Sequence, residues 1–224
     1  MFRLSKHCFL LYNTLQKGSV KMENRYASRI EKVQMSSIRV VMEKVEKLRS
    51  QGKSVVSLCA GEPDFNTPEG IKKATIEALN DNQTHYSSNR GYLGLRKKVA
   101  HLLKEQTTID YDSDTEIIMT CGCSEEINNV CQAFINKDDE VIIFTPAFVS
   151  YQNIVLLCQG IPVEIPLKLS LGFQIDIEEV KNKITKKTKM IILNNPNNPT
   201  GAVYQKETLE QLCKLARENN ILIL

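Results

Sequence analysis

The chain has no long hydrophobic run, no low-complexity tract, no internal repeat and no strong net charge. Its most apolar early stretch, CFLLY at residues 8–12, is too short to span a membrane. The net charge is only +3 and the lysines are scattered, often beside glutamates, which argues against a nucleic-acid-binding surface. With 42% hydrophobic and 25% charged residues, the composition predicts an ordinary globular protein without nucleic-acid or membrane partners.

Paired cysteine spacing is also missing. None of the seven cysteines belongs to a C-x-x-C pair, and none has a histidine at ligand spacing. We therefore expect reduced thiols in a reducing compartment and no metal site. Cys121 and Cys123, in TCGCS, are only two thiols, which do not close a metal site. We expect them to be small buried hydrophobic residues.

Residues 1–21 contain basic residues and no acidic residue. An organelle-targeting leader has this composition. The alternative, which we favour slightly, is a disordered tail ahead of a working start at Met22. We accordingly predict a cytoplasmic protein, with organelle targeting by residues 1–21 as the second possibility.

Hydrophobic periodicity predicts that helices open the ordered part of the chain. Residues 36–50 form an amphipathic pattern whose apolar stripe ends just before Gly52. The stripe consists of Ile38, Val41, Met42, Val45 and Leu48. A strand is predicted at 54–61, followed by a helix that Thr67 caps, with Pro68 at its first position.

Strand and helix patterns then alternate to the last residue. After a helix at 96–106, strands are predicted at 115–120, 140–146, 161–167, 189–194 and 221–224. Helices are predicted between them at 124–136, 150–159, 177–184 and 206–219. Such alternation predicts an α/β fold, a mostly parallel mixed sheet with helices on both faces. Ligands of such sheets bind at the carboxyl ends of the strands.

Four predicted strand ends carry turn residues with polar or aromatic side chains: CAGEPDF, TCGCSEE, TPAFVSY and NNPNNPTG. Each alone has a plain structural explanation. Ser124 suits a helix N-cap as well as an anion site, and Phe148 suits a core as well as a stacking ring. Asn-Pro pairs form local turns, but an Asn198 amide held by prolines could equally face a ligand.

Taken together and in order, these four turns resemble those of the class I aminotransferases that use pyridoxal 5′-phosphate. AGEPDFNTP, HYSSNRGYLGLR, DDEVIIFTPAFVSY, TKKTKMIILNNPNNPTGAVY and LARENNILIL each resemble a family segment, over about residues 30–224. The resemblance implies the fold of a pyridoxal-phosphate-dependent transferase. It also implies amino-acid and 2-oxo-acid substrates.

The resemblance implies a cofactor site built from five residues. Asn198 matches the residue that hydrogen-bonds the ring oxygen of the cofactor and helps to seat the substrate carboxylate. Phe148 matches the aromatic residue that stacks on the pyridine ring, a position usually filled by Trp or Tyr. Gly122, Cys123 and Ser124 match the phosphate cup at a helix N-terminus.

Two further residues match family positions. Gly61 matches a backbone donor to the α-carboxylate of the substrate. Tyr86 matches a tyrosine that reaches the cofactor phosphate of the neighbouring subunit, which implies a homodimer.

In the family, the catalytic residues follow the segment that matches the last residues of this chain, up to Leu224. None of the lysines of this chain falls at the Schiff-base position, so we name no catalytic residue. We expect an N-terminal part that is inactive alone, with three segments: a leader or tail at 1–21, an arm and small-domain helix at 22–62, and an incomplete cofactor-binding large domain at 63–224.

Several alternatives stay open. A C–S lyase or another related pyridoxal-phosphate enzyme shares these motifs, and a short non-catalytic chain could act by binding a partner. A methyltransferase-type Asn-Pro-Pro element fits poorly, because the prolines are not adjacent and no glycine-rich fingerprint follows the first strand. Some aspartate-preferring relatives carry lysine where Ser124 stands, which lowers the expectation of a dicarboxylic substrate.

Overall fold

The structure, a computed structural model, describes residues 26–33 and 37–224, apart from the side chain of Ser37. The predicted leader or tail at 1–21 and the predicted helix start at Ser36 lie outside the described residues. No helix in the described ranges is long and apolar enough to cross a membrane.

A four-stranded parallel sheet forms the centre of the molecule, as predicted. Its strands are β1 (Glu140–Thr145), β2 (Ile161–Pro166), β3 (Thr188–Ile192) and β4 (Leu222–Ile223). They lie in the order β2-β1-β3-β4, and all three neighbouring pairs are parallel. Parallel neighbours require crossover connections, and helices supply them here.

The described helices agree in position with the predicted pattern. They are α1 (Ser37–Ser50), α2 (Glu69–Asn80), α3 (Leu93–Thr107), α4 (Cys123–Phe134), α5 (Ser150–Leu157), α6 (Ile177–Lys183) and α7 (Lys206–Glu218). Short 3₁₀ helices cover Ser28–Lys32 and Leu169–Leu171. Asp176 caps α6, because its carboxylate accepts the N–H groups of Glu178 and Glu179.

Both faces of the sheet are covered, and each face carries its own core. Successive side chains of a strand point to opposite faces. Ile142 and Phe144 of β1 therefore pack with α6 and α7, while Val141 and Ile143 pack with α4 and α5. The continuous apolar pattern of β1 follows from this position between two layers of helices, since all four side chains are buried.

Two predicted strands are absent from the described structure. Residues 54–61 and 117–120 are irregular, and 113–116 form a turn. Val56 and Leu58 are 86% and 92% exposed. A strand needs a neighbour to satisfy its backbone groups, and among the described residues neither segment has one. The apolar pattern alone could not reveal that.

Two predicted helix starts are shifted. Pro68, not Thr67, is the N-cap of α2, and no side chain caps that end. α4 begins at Cys123, with Gly122 rather than Ser124 at the N-cap position. Gly122 has a φ of 79°, a left-handed value that glycine adopts without strain.

Candidate functional site

Two of the sequence-predicted turns meet at one edge of the sheet. Phe148 follows β1 and Asn198 follows β3. Since β1 and β3 are neighbours and parallel, their carboxyl ends lie side by side. The fold therefore places these two residues at the sheet edge where ligands of parallel α/β proteins bind.

Asparagine side chains hold the NNPNNPTG loop. Asn194 Oδ1 accepts the N–H of Asn198 at 2.7 Å, and Asn195 Oδ1 accepts the N–H of Tyr204 at 3.0 Å. Asn197, which is buried, accepts both the N–H and the hydroxyl of Thr200. The Asn195–Pro196 and Asn198–Pro199 peptide bonds are cis.

Asn198 differs from the other three asparagines of the loop. Asn195 and Asn198 are both exposed, but within the described part of the chain only the Asn198 side-chain amide makes no hydrogen bond. Local turn formation therefore explains Asn194, Asn195 and Asn197 but leaves the Asn198 amide without a structural role. An amide carries both a donor and an acceptor, so it can serve a polar ligand.

Tyr204 packs beneath this loop. Its hydroxyl is buried and, among the described residues, has no hydrogen-bond partner. Burial raises the pKa of the phenol, while the nearby Asn197 amide lowers it. The hydrogen bond from the Tyr204 N–H to Asn195 Oδ1 links the loop to the core cluster that contains Tyr204.

Phe148 and Ser124 line a common cavity with α1. The cavity measures about 580 Å³. The residues around it are Ile38, Arg39, Met42, Glu43 and Glu46 of α1, together with Ser124, Phe148, Val149 and Ser150. Phe148 also packs edge-on against Tyr151, with ring centroids 5.7 Å apart. The cavity therefore joins two of the predicted cofactor residues, whereas Asn198 does not line it.

The start of α4 has N–H groups that would attract an anion and carboxylates that would compete with it. The N–H groups of Cys123 and Ser124 precede any intrahelical acceptor, and the helix dipole favours negative charge there. The Glu125 carboxylate, however, accepts the N–H of Cys121. Glu125 and Glu126 both stand in the first turn. An anion at this end would have to displace or tolerate a carboxylate.

Cys121 and Cys123 are exposed, so the prediction that they are small buried residues is wrong. Among the described residues, the first turn of α4 belongs to neither of the two buried clusters. Cys131, further along α4, is fully buried, and burial raises the pKa of its thiol to about 11.

Gly61 and Tyr86 do not line the cavity. Gly61 lies in the irregular segment before α2, and a Cβ there would meet no atom within 4 Å. Tyr86 is fully exposed. The contribution of α1 was missed by sequence reasoning. Its apolar stripe predicted a buried face, but no signal indicated that Arg39, Glu43 and Glu46 border a cavity at Phe148.

Comparisons with known proteins place these features in a wider group. The family model described as "Aminotransferase class I and II" matches residues 53–224. A probable aspartate/prephenate aminotransferase of Aquifex aeolicus is 37% identical over 203 residues, which cover 91% of this chain and 51% of that protein. Aromatic-amino-acid aminotransferase 2 of Thermococcus litoralis is 40% identical over 198 residues, covering 88% and 50%.

A solved structure agrees with the sequence relatives. The aspartate aminotransferase from Thermus thermophilus with maleate superposes with a TM-score of 0.85 at 38% identity. The match covers 90% of this chain and 52% of that chain. The chain spans about half the length of the curated relatives it matches.

Proposed function

Because the chain belongs to the class I and II aminotransferases, we propose that the complete protein is a transaminase that uses pyridoxal 5′-phosphate. It would transfer an amino group between an amino acid and a 2-oxo acid. The observation that carries the proposal is the NNPNNPTG loop: three asparagines hold it together, and the Asn198 amide stays available at the carboxyl edge of the sheet.

The donor set suits a phosphorylated pyridine. The Cys123 and Ser124 N–H groups at the start of α4 would bind the phosphate, with Gly122 setting the turn. The Phe148 ring would stack on the pyridine, and the Asn198 amide would donate to the ring oxygen. When bound, the cofactor supplies an electron sink for carbanion chemistry. Among the described residues, Glu125 and Glu126 in the first turn of α4, and Glu43 and Glu46 across the cavity, work against this fit.

The roles of two residues, Gly61 and Tyr86, rest on the family resemblance alone. We propose that Gly61 donates its N–H to the α-carboxylate of the substrate, with Asn198 helping to seat it. We also propose that the complete protein is a homodimer in which Tyr86 reaches the neighbouring site. The full exposure of Tyr86 is compatible with that role. Cytoplasmic location and the segments 1–21, 22–62 and 63–224 stay predictions.

The cavity beside Phe148 supports a substrate with an apolar or aromatic side chain. Ile38, Met42 and Val149 offer apolar contacts there. Glu43 and Glu46 outnumber Arg39, so a second carboxylate on the substrate would meet net negative charge. The absence of lysine at position 124 agrees with this preference. The relatives named above include aspartate and aromatic-amino-acid aminotransferases, and these names represent the two substrate classes under comparison.

The test compares Asn198→Ala with Asn197→Ala in the complete protein. Asn198→Ala should weaken cofactor or substrate binding by about 1–3 kcal/mol, the cost of one buried hydrogen bond, without changing stability. Asn197→Ala should instead lower the free energy of unfolding by a similar amount, because the Thr200 N–H and hydroxyl lose their acceptor.

Activity gives the second readout. Coupled production of a new amino acid and a new 2-oxo acid is expected from the complete protein, with phenylalanine or methionine preferred to aspartate. Release of ammonia with a 2-oxo acid, without any acceptor, would identify a lyase instead. An Asn198→Ala protein with unchanged binding and turnover would refute the role of that amide.

A further inference from the structure

α4 has two exposed thiols at its start and a buried thiol in its body. Cys121 precedes the helix and Cys123 opens it, with only Gly122 between them, and both are free and exposed. Cys131 faces the core between the sheet and α5. The same short segment therefore offers exposed and buried cysteines for comparison.

The exposed pair lies beside the proposed cofactor residues. Cys123 opens α4, where the first N–H groups are proposed to bind the phosphate, and burial and, secondly, the Cys123 thiol raise the pKa of Tyr151. Tyr151 in turn packs on Phe148. Ser124, adjacent to Cys123, lines the cavity that Phe148 borders. The thiols thus stand where the phosphate of a cofactor would bind.

Hydrogen bonds tie the backbone that carries the two cysteines. The Glu125 carboxylate accepts the Cys121 N–H. The Gly122 carbonyl accepts the Glu125 N–H at 3.2 Å and the Thr120 hydroxyl at 3.2 Å. These bonds hold both cysteines in one tight turn, so that neither moves away from the other independently.

We propose that Cys121 and Cys123 form a peroxide-sensitive dithiol that reversibly controls anion binding at the start of α4. The proposal rests on the proposed function, because the anion in question is the cofactor phosphate. It adds a modification site and a form of regulation to that function.

The chemistry consumes one molecule of hydrogen peroxide. The sulfur of one thiol attacks the peroxide, forming a sulfenic acid and releasing one water. The second thiol then attacks that sulfur, forming the Cys121–Cys123 disulfide and releasing a second water. Sulfur is oxidised and peroxide oxygen is reduced to water. A small dithiol reductant reverses the reaction by exchange.

The other described cysteines do not share these conditions. Cys59 is half-buried and has no second cysteine in its irregular segment, 54–61. Burial raises the pKa of both Cys131 and Cys158, which keeps them protonated and away from solvent. Cys213 is exposed but is the only cysteine of α7. A sulfenic acid there would have no second thiol in its own helix to resolve it.

Disulfide formation would alter the anion site directly. The bond would join side chains on either side of Gly122, and the turn would have to adjust. The Cys123 and Ser124 N–H groups would lose the alignment that an anion needs. Conversely, a bound phosphate would shield both thiols from peroxide.

The first experiment maps the oxidation. The 224-residue chain is treated with hydrogen peroxide, alkylated with iodoacetamide and digested with a glutamate-specific protease. The peptide 117–125 then contains Cys121 and Cys123 and no other cysteine, while 127–140 contains Cys131. We expect 117–125 to lose two hydrogens and escape alkylation, and Cys131 to be alkylated after unfolding. Cys121→Ser and Cys123→Ser should each abolish the loss, and Cys213→Ser should not.

The second experiment measures binding by calorimetry. The ligand is pyridoxine 5′-phosphate, which lacks the aldehyde and so does not react with lysines. We expect oxidised chain to bind about tenfold more weakly than reduced chain, as for one or two lost hydrogen bonds, with recovery after reduction. The Cys121→Ser variant should bind equally before and after peroxide.

Each result decides one claim. Full alkylation of both thiols after peroxide, or equal binding by oxidised and reduced chain, would overturn the dithiol proposal. Failure of the reduced chain to bind pyridoxine 5′-phosphate would overturn control of that ligand by the dithiol, whereas the Asn198→Ala test in the complete protein decides the proposed function. The peptide masses would still decide whether the dithiol forms.

Discussion

The helices before Ile117 and those after it have similar patterns but different surroundings. α1, α2 and α3 bury almost nothing: among the described residues before Ile117, only Arg96 is buried. After Ile117, α4 to α7 pack on both faces of the sheet and bury two apolar clusters. An amphipathic pattern therefore specifies a helix, but burial depends on a partner that the helix itself does not provide.

The apolar face of α1 is covered only in part. Val41 is 45% exposed, whereas Val45 is partly buried. Ile38 and Met42 border the cavity at Phe148, so this helix already touches the site. The contrast between the two regions can be tested by substitutions that are chemically alike and differ only in place.

The largest expected effect is a matched pair of isoleucine substitutions. Ile142→Ala in β1 should lower the free energy of unfolding by about 2–5 kcal/mol, because the side chain is fully buried between layers. Ile76→Ala in α2, where the side chain is 56% exposed, should change it by less than about 0.5 kcal/mol. Urea denaturation measures both. Equal losses would show that the two regions are packed alike.

Alkaline pH should destabilise the packed region next most strongly. The pKa of Cys131 is about 11 in the folded chain and 9.0 without burial. Between pH 9 and pH 11 the folded state therefore keeps the Cys131 proton that the unfolded state loses. The stability that comes from this difference is fully present below pH 9 and falls as the pH rises towards 11, by up to about 2–3 kcal/mol.

Urea midpoints at pH 8 and pH 10.5 test this dependence. Cys131→Ala should reduce the loss of stability between pH 8 and pH 10.5, although the cavity that it leaves lowers stability at both pH values. Cys213→Ala, at an exposed thiol, should keep the full pH dependence. An unchanged slope in Cys131→Ala would remove this thiol as the cause.

Arg96 is the exception in the first region and should give a smaller, local effect. Its guanidinium donates to the carbonyls of Gly91 and Ser113 and lies 3.7 Å from Asp114 Oδ1. Arg96→Leu should favour local opening by about 1–3 kcal/mol, because these links between α3 and the 113–116 turn are lost.

Hydrogen exchange of the Met119 N–H, which donates to the Arg90 carbonyl, reports that opening. Lys97→Leu, at the exposed neighbouring position, is the control and should leave the exchange rate unchanged. Equal acceleration in both variants would mean that charge loss, not the specific links, is responsible.

The smallest effect is expected on the open face of α1. Val41→Ser should change the unfolding free energy by less than about 0.5 kcal/mol, since the side chain is already largely in water. A loss well above 1 kcal/mol in the same urea assay would reveal a packing partner for this face in solution.

The sequence by itself determined the layers of the fold and the identity of its turns. Continuous apolar runs at β1 and β3, with amphipathic helices between them, specify a buried parallel sheet because both periods are local properties of the chain. The Asn-Pro-Thr-Gly turn was identified for the same reason, since its residues are contiguous.

The tertiary structure decided what surrounds each of these segments. Residues 54–61 and 115–120 have apolar patterns but gain no pairing partner within the described ranges, and pairing is a non-local event. Cys121 and Cys123 are exposed because, among the described residues, the first turn of α4 belongs to neither buried cluster. Only the fold, which brings α1 to Phe148, makes Arg39, Glu43 and Glu46 part of a site, because side chains distant in sequence become neighbours only when the layers pack.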